Sequence, residues 1–135
     1  MKTIVVGVDG SPDSRGAVEW AAELADHVDA HVVAVHAVGL LEHERGDPDA
    51  THLRPQLDLW TAALDRLPAG RVERRLVVGE PVDALGAVVA ERAADLVVVG
   101  TRGTGTRTVM RLGSTSLRLA EGCGCPVVIV PVKNG

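Results

Sequence analysis

The pattern G-x2-G-x9-G-S combines the residue types and the spacing most suited to chemistry in this sequence. Gly100 and Gly103 follow directly on the apolar run Leu96–Val99, and Gly113-Ser114 comes after a further nine residues. Glycines let backbone N–H groups approach an anion closely, and the unpaired N–H groups at the start of a helix carry partial positive charge. The pattern therefore predicts a nucleotide phosphate site between a strand and a following helix.

Two better-known phosphate motifs are excluded. The chain has no G-x-x-x-x-G-K-[ST] run, so it lacks the lysine that neutralises phosphates in that motif. It also has no G-x-G-x-x-G, because Gly103-Thr104-Gly105 is followed by Thr106, Arg107 and Thr108. The window from Gly100 to Ala120 contains no acidic residue, and its basic side chains suit a polyphosphate. They are Arg102, Arg107, Arg111 and Arg118.

The elements that position these residues follow from hydrophobic periodicity. Apolar runs predict four strands, at Thr3–Val8, His31–Val38, Leu96–Val99 and Val127–Val130. Arg71–Val78 alternates weakly, which predicts a fifth strand near the edge of the sheet. Apolar residues at helical spacing predict four helices. The first begins at Pro12, with Ser11 as its cap, and the third begins at Pro81. The second begins at Pro55 and buries a stripe of four residues, Leu57, Trp60, Leu64 and Leu67. The fourth runs from Ser114 to Glu121. A loop is predicted over Gly39–Ala50.

Alternating strands and helices predict an α/β fold over one domain, residues 1–135. Right-handed crossovers place helices on both faces of a doubly wound, five-stranded parallel sheet of the Rossmann-like type. Ligands of such sheets bind beyond the carboxyl ends of the strands, where the strand order reverses. If strands one and four are neighbours there, Asp9 stands beside Gly100. Its carboxylate could then accept hydrogen bonds from ribose hydroxyls.

Composition limits the function classes. Apolar residues make up 46% of the chain, yet Phe and Tyr are absent, which predicts a core of Val, Leu and Ala. A net charge of −4 argues against nucleic-acid binding. No apolar run approaches the roughly 18 to 20 residues that span a bilayer, and the first run, interrupted at Asp9, is too short for a signal peptide. We therefore expect a cytoplasmic protein without a membrane segment.

The cysteines and histidines do not predict a metal site. Cys123 and Cys125 fall short of the four ligands of a structural zinc site, and we expect them to be small, partly buried residues. A disulfide across one residue would be strained. The histidines show no metal-ligand spacing. His36, at the end of the second strand, is expected to be a hydrogen-bonded structural residue, with a ligand contact as the alternative.

The G-x2-G-x9-G-S spacing resembles the ATP-binding signature of the universal stress protein family. The resemblance runs over nearly the whole chain. It includes Ile4–Ser11 as first strand and acidic turn, Gly79–Pro81 as entry to the third helix, Ala94–Gly100 as fourth strand and Cys125–Val130 as last strand. The fold implied is the adenine-nucleotide-binding type of the Rossmann-like sheet.

The resemblance also implies roles for individual residues. Asp9 would contact the ribose, and main-chain atoms near Ala37 would contact adenine. Val99 and Gly100 would line the nucleoside side. The phosphates would be held by Gly103, Gly113, Ser114 and Thr115. The ligand would be ATP, or AMP or ADP, with any Mg²⁺ carried by the nucleotide rather than by a metal site of the protein.

The function implied is an ATP-dependent sensor or switch in the stress response, in which nucleotide orders the span Thr101–Leu112. No catalytic residue is assigned, because the sequence shows neither a loop lysine nor a second carboxylate near the glycines. One alternative is a slow ATPase or phosphotransferase using Ser114 or Thr115. Another is a nucleotide-free dimeric scaffold. A homodimer is expected through the apolar edge Val127–Val132, the strand through which related proteins dimerise.

Overall fold

Five short β-branched segments form the strands of one parallel sheet. The structure is a computed structural model that describes residues 2–39, 53–101 and 114–131. The strands are β1 (Thr3–Gly7), β2 (His31–Val38), β3 (Val72–Val78), β4 (Leu96–Gly100) and β5 (Val127–Val130). Their order is β3-β2-β1-β4-β5, and each described pair is parallel. This confirms the predicted doubly wound α/β sheet.

The central strand β1 creates the point at which the strand order reverses. On one side it pairs with β2, with Val5 opposite Val33, and on the other with β4, with Val5 opposite Val97. The chain adds strands outward from β1 to β3 and then returns to place β4 on the other side. The carboxyl ends of β1 and β4 therefore meet at a topological switch point, where open α/β sheets bind ligands.

Four α-helices cover the sheet within the described ranges. They are α1 (Pro12–Val28), α2 (Arg54–Trp60), α3 (Pro81–Arg92) and α4 (Ser114–Gly122). The start of α1 is the one predicted, with Pro12 in its first turn and the Ser11 side chain accepting a hydrogen bond from the Ser14 N–H. The predicted loop Gly39–Ala50 lies, apart from Gly39, outside the described residues.

Alternation along the strands separates two apolar layers. Ile4 and Val6 of β1 face the layer that contains α1 and α2, whereas Val5 faces the layer that contains α3. Both layers are built from Val, Leu, Ile and Ala. The core composition expected from the sequence is confirmed. Within the described part of the chain, no helix combines the length and the apolar character needed to cross a bilayer.

The second predicted helix is shorter than expected. It ends at Trp60, and a 3₁₀ helix covers Ala62–Arg66, although Leu57, Leu64 and Leu67 are buried as predicted. The break lies at Thr61, whose fully buried hydroxyl donates to the Leu57 carbonyl at 2.7 Å. Arg74 of β3 then donates to the Thr61 hydroxyl at 2.7 Å and to its carbonyl at 3.1 Å. The Thr61 carbonyl also accepts a hydrogen bond from the Leu64 N–H at 2.9 Å, so the chain continues in the tighter 3₁₀ pattern after this residue.

Asp95, just before β4, is hydrogen-bonded to the backbone at the start of β1. One of its carboxylate oxygens accepts hydrogen bonds from the Lys2 N–H at 2.8 Å and the Thr3 N–H at 3.0 Å. These backbone donors, Lys2 before Thr3, lower the pKa of Asp95. The ionised side chain therefore holds β1 beside β4 at neutral pH.

We expect Asp95→Asn to reduce the free energy of unfolding at neutral pH and to have little effect in acid. A carboxyl group with a lowered pKa in the folded state stabilises above its unfolded value of about 4, and this contribution is lost as pH falls through the folded value. Urea unfolding of both proteins between about pH 7 and about pH 3 measures it, and the two curves should converge at the acid end. A constant difference at every pH would contradict this account.

Candidate functional site

Gly100, the last residue of β4, packs directly on the first turn of α1. A Cβ atom placed on Gly100 would lie 2.6 Å from the Asp13 Cβ, 2.7 Å from its carbonyl carbon and 2.8 Å from its carbonyl oxygen. Real Cβ atoms do not come so close to a backbone. Glycine is therefore required at this position. The absence of a side chain lets the amino end of α1 reach the end of β4.

Asp13 lies beside the beginning of the glycine pattern. Its side chain is buried, with the residue only 6% exposed, and its carboxylate accepts a hydrogen bond from the Thr101 hydroxyl at 2.8 Å. The sequence-based expectation that no second carboxylate lies near the glycines is therefore wrong. The only sequence signal was an acidic residue in a first helical turn, which the helix dipole explains without any ligand. Its proximity to Thr101 comes from the pairing of β1 with β4.

Asp9 follows β1 at the switch point. Its carboxylate accepts a hydrogen bond from the Ser11 N–H at 2.9 Å, and its own N–H donates to the Ser14 hydroxyl at 3.2 Å. These contacts hold the turn between β1 and α1 in one conformation. The atoms nearest to a Cβ on Gly100 are those of Asp13. Two carboxylates, one on each side of Ser11, therefore belong to this end of the sheet.

Ala37 and His36 lie near the end of β2, on the other side of β1. Ala37 is partly buried and pairs with Val77 of β3. His36 Nδ1 is 2.7 Å from the Val8 carbonyl oxygen, which can only accept, so Nδ1 carries a proton and donates it. The expectation of a hydrogen-bonded structural histidine is confirmed. The ring also meets Trp60 edge to face, with centroids 5.3 Å apart.

Trp60 covers the turn after β1. Gly10 adopts a φ of +84°, and a Cβ atom on it would lie 2.7 Å from Cε2 and Cζ2 of the Trp60 indole. The sequence placed Trp60 in the buried stripe of its helix, but the structure leaves it partly exposed. Trp60 therefore forms a wall beside the acidic turn, which helical periodicity alone did not reveal. The sequence feature that could have indicated this contact is Gly10, which follows Asp9 after the first strand.

Of the remaining predicted site residues, Val99, Ser114 and Thr115 lie within the described part of the chain, whereas Gly103 and Gly113 lie outside it. The Val99 side chain packs in the apolar layer on the α3 side of the sheet and the residue is 5% exposed, so only its backbone can line a site at the strand end. Ser114 and Thr115 begin α4. Gly103 and Gly113, and all but Thr101 of the span Thr101–Leu112, lie outside the described residues. Among the residues that are described, no three His, Cys, Asp or Glu side chains form a metal-binding group.

This geometry suits a small polar ligand rather than a metal ion. The carboxylates of Asp9 and Asp13 can accept hydrogen bonds from hydroxyl groups, and the end of β4 leads into a glycine- and arginine-rich segment. A partly exposed indole and the backbone near Ala37 border the turn from the β2 side. Within the described residues, hydroxyl-accepting carboxylates and an aromatic ring thus lie near the end of β1.

Comparison with known proteins places these features in a wider group. A family model described as the universal stress protein family matches residues 1–131. A universal stress protein of Mycobacterium tuberculosis is 36% identical over 141 aligned positions, which cover 96% of this chain and 95% of that protein.

Solved structures agree in fold and carry nucleotides. A universal stress protein in complex with cAMP aligns with a TM-score of 0.78 at 30% identity, covering 98% of each chain. The universal stress protein from Archaeoglobus fulgidus in complex with dAMP aligns with a TM-score of 0.75 at 25% identity, covering 96% of this chain and 98% of the other. The ligands of both proteins contain an adenine base.

Proposed function

The chain belongs to the universal stress protein family, and from this premise we propose that it binds an adenine nucleotide at the carboxyl ends of β1 and β4. The observation that carries the proposal is the contact of Gly100 with the first turn of α1. It brings the carboxylate-bearing turn and the start of the G-x2-G-x9-G-S pattern to one place. Sugar-binding and phosphate-binding groups are then adjacent, as a nucleotide requires.

Each part of the nucleotide has a proposed partner. Asp9 accepts hydrogen bonds from the ribose, and main-chain atoms near Ala37 bind adenine. The phosphates are held by Gly103, Gly113, Ser114 and Thr115, with the backbone of Val99 and Gly100 on the nucleoside side. Trp60, edge to face with His36, borders the base. The cAMP and dAMP of the structural relatives support the choice of adenine.

ATP is the ligand that we propose among adenine nucleotides. The basic window from Gly100 to Ala120 offers positive charge without an acidic residue, which suits three phosphates better than one. Mg²⁺ would arrive bridging the phosphates, since that ion is usually bound in part by its nucleotide. AMP, ADP and cAMP remain the comparison ligands.

The proposed action is that of a switch in the stress response. Bound phosphate orders the span Thr101–Leu112, and the ordered surface changes a partner contact or the geometry of a dimer. Hydrogen exchange of that span, measured with and without saturating ATP, tests this mechanism. Unchanged exchange in the presence of bound ATP would leave nucleotide binding intact and remove the switch.

We expect ATP with Mg²⁺ at about 100 times its Kd to raise the free energy of unfolding by ~2.7 kcal/mol, because a ligand that binds the folded state alone stabilises by mass action. Thermal unfolding should show a shift of several degrees with ATP and none with FMN. The Gly113→Ala variant should lose the shift. Gly70→Ala is the matched control, since nothing lies within 4 Å of a Cβ atom at Gly70. No shift with any adenine nucleotide would contradict the proposal.

A slow ATPase or phosphotransferase is the second candidate, and the position of Asp13 favours it. A buried carboxylate bonded to Thr101, at the start of the phosphate-binding segment, could orient a water molecule or a hydroxyl such as Ser114 or Thr115. Phosphate release that Asp13→Asn abolishes while ATP still stabilises the fold would support this function. No phosphate release by the wild-type protein would contradict this second function.

The remaining proposals concern assembly. We propose that residues 1–135 form one domain that dimerises through β5, the outermost strand beside β4. Val127–Val130 are each partly exposed there, and Pro131 follows, as is common on edge strands. Val132 lies outside the described residues. Light scattering at micromolar concentration should give twice the chain mass. A dimer whose stability and mass do not change with nucleotide would identify an interaction scaffold. The cytoplasmic location stays a prediction.

A further inference from the structure

The two cysteines of the chain face each other across a single residue. Cys123, Gly124 and Cys125 connect α4 to β5, and the two Sγ atoms are 3.6 Å apart and in hydrogen-bonding contact. Both thiols are free and partly exposed, as the sequence predicted, and Gly124 is exposed. The chain contains no third cysteine. Each sulfur therefore has only one possible partner within the molecule.

We propose that Cys123 and Cys125 form a reversible dithiol–disulfide couple, a redox modification site that small-molecule disulfides oxidise by thiol–disulfide exchange. The proposal rests on the distance between the sulfurs, their exposure and the backbone around them. It is independent of nucleotide binding.

The backbone of this turn can supply the movement that a disulfide needs. The Cys123 N–H is fixed to the Leu119 carbonyl at 2.8 Å, and the Pro126 carbonyl is fixed to the Val97 N–H at 3.0 Å. Between these anchors lies Gly124, where no atom lies within 4 Å of a Cβ position. Bridged cysteines need Cα atoms about 4.4 to 6.8 Å apart, and residues separated by one position span at most about 7 Å. Closing the bridge shortens the distance between the sulfurs from 3.6 Å to about 2 Å, and Gly124 is the position between the anchors at which the backbone can turn to allow it.

Protonation distinguishes the two sulfurs. Burial, followed by the hydrogen bond with Cys123, raises the pKa of Cys125 to about 11. Cys125 therefore keeps its proton at neutral pH and can donate it to the Cys123 sulfur. Because the thiolate is the nucleophile, the raised pKa of Cys125 disfavours it as the sulfur that begins the exchange, and the proposal assigns the first attack to Cys123 and the second to Cys125.

The reaction balances with one small disulfide, RSSR, as the oxidant. The Cys123 thiolate attacks one sulfur of RSSR, forms a mixed disulfide and releases RS⁻. The Cys125 sulfur then attacks the Cys123 sulfur, and the second RS⁻ leaves with the proton of Cys125. The first RS⁻ takes up the proton that the Cys123 thiol gave up to solvent. The protein has then lost two hydrogen atoms, that is two protons and two electrons, and RSSR has become two RSH. The strain of a bridge across one residue makes the return reaction with excess RSH easy, so the couple is reversible.

The position of the couple separates it from the proposed nucleotide site. Cys125 precedes β5, at the amino-terminal edge of the sheet, where it packs in the apolar layer that also contains Val97. Gly100 lies at the opposite, carboxyl-terminal edge. Oxidation and nucleotide binding can therefore be measured separately, and failure of one does not imply failure of the other.

The experiment incubates the full-length folded protein with excess oxidised glutathione, quenches it with acid, alkylates remaining thiols and measures intact mass. We expect a monomer that has lost two hydrogen atoms, carries no glutathione and has lost both alkylatable thiols. Reduced glutathione should restore both thiols. Cys125→Ser should stop at a single glutathione adduct on Cys123, and Cys123→Ser should react more slowly, because its remaining thiol is protonated.

Three outcomes for the wild-type protein would overturn the proposal. They are persistence of both alkylatable thiols, accumulation of glutathione adducts without the intramolecular bridge, and formation of covalent dimers in its place. The intact mass of the wild-type protein after oxidation distinguishes these outcomes. The test therefore does not depend on whether either serine variant folds. Urea unfolding of the variants separates loss of structure from loss of reactivity.

Discussion

Replacing Gly100 with alanine is expected to destabilise the protein by about 3 kcal/mol, the upper end of the usual cost of overpacking. The added methyl group would lie 2.6 to 2.8 Å from the Cβ atom and the backbone of Asp13. Backbone in the first turn of a long helix cannot rotate aside as a side chain can. The whole amino end of α1 must shift, and with it the carboxylate that binds Thr101. The urea midpoint of unfolding should fall accordingly at an unchanged slope.

Gly86→Ala is the matched control for this prediction. Gly86 lies inside α3, and no atom lies within 4 Å of a Cβ position there. The same substitution should stabilise the protein by about 0.5 to 1 kcal/mol, because alanine loses less conformational entropy in a helix than glycine. Equal stability of the two variants would mean that α1 can move away from β4 freely. The close contact would then not define the site.

Replacing Gly10 with alanine is expected to cost about 2 to 4 kcal/mol, from two separate causes. The φ of +84° at Gly10 is unfavourable for an alanine by roughly 1 to 2 kcal/mol. The methyl group would also lie 2.7 Å from two carbon atoms of the Trp60 indole, and displacing a packed ring adds about 1 to 2 kcal/mol. Thermal or urea unfolding measures the sum.

Two further variants separate the causes at Gly10. Gly79 also has a positive φ, +140°, and nothing lies within 4 Å of its Cβ position, so Gly79→Ala shows that a positive φ alone destabilises, although its φ differs from the +84° of Gly10. In the background of Trp60→Ala, the Gly10→Ala substitution should lose the part of its cost that comes from the ring. An identical cost with and without Trp60 would show that the indole yields without penalty. Trp60 would then be no fixed wall of the proposed site.

These variants also report on nucleotide binding. Gly100→Ala should move the start of the proposed phosphate-binding segment, whereas Gly10→Ala should move the side proposed to border the base. Each variant should lower the stabilisation by ATP, measured relative to its own unliganded protein, while Gly86→Ala should leave that stabilisation unchanged. An ATP effect that survives both substitutions would place the nucleotide elsewhere on the molecule.

Much of the fold could be predicted because its determinants are local in the sequence. The bounds of β2 and β5 agree with the predicted strands, and the first helix begins where Ser11 and Pro12 indicate. Short β-branched runs with no polar interruption predict strands buried on both faces, and those in turn predict a parallel sheet with helical crossovers. The sequence analysis left the pairing of strands one and four as a condition, and the structure meets it, because β1 pairs with β4.

The errors concern residues whose environment is supplied by distant parts of the chain. The helix that begins at Arg54 stops at Trp60, next to Thr61, whose hydroxyl and carbonyl both accept hydrogen bonds from Arg74 on another element. Helical periodicity cannot register that contact. Trp60 was likewise assigned to the buried stripe from its spacing; it packs against the core but stays partly exposed, with its ring over Gly10.

The sequence by itself determined the strand and helix segments, the core composition, the family and the residues of the glycine pattern, because each depends on periodicity or on spacing along one segment. Only the tertiary structure decided which groups meet at the strand ends. It placed Asp13 against Gly100 and Thr101, and Trp60 over Gly10. It also brought the Cys123 and Cys125 sulfurs to 3.6 Å. The physical reason is that packing distances arise from how whole strands and helices pair, and no local pattern encodes them.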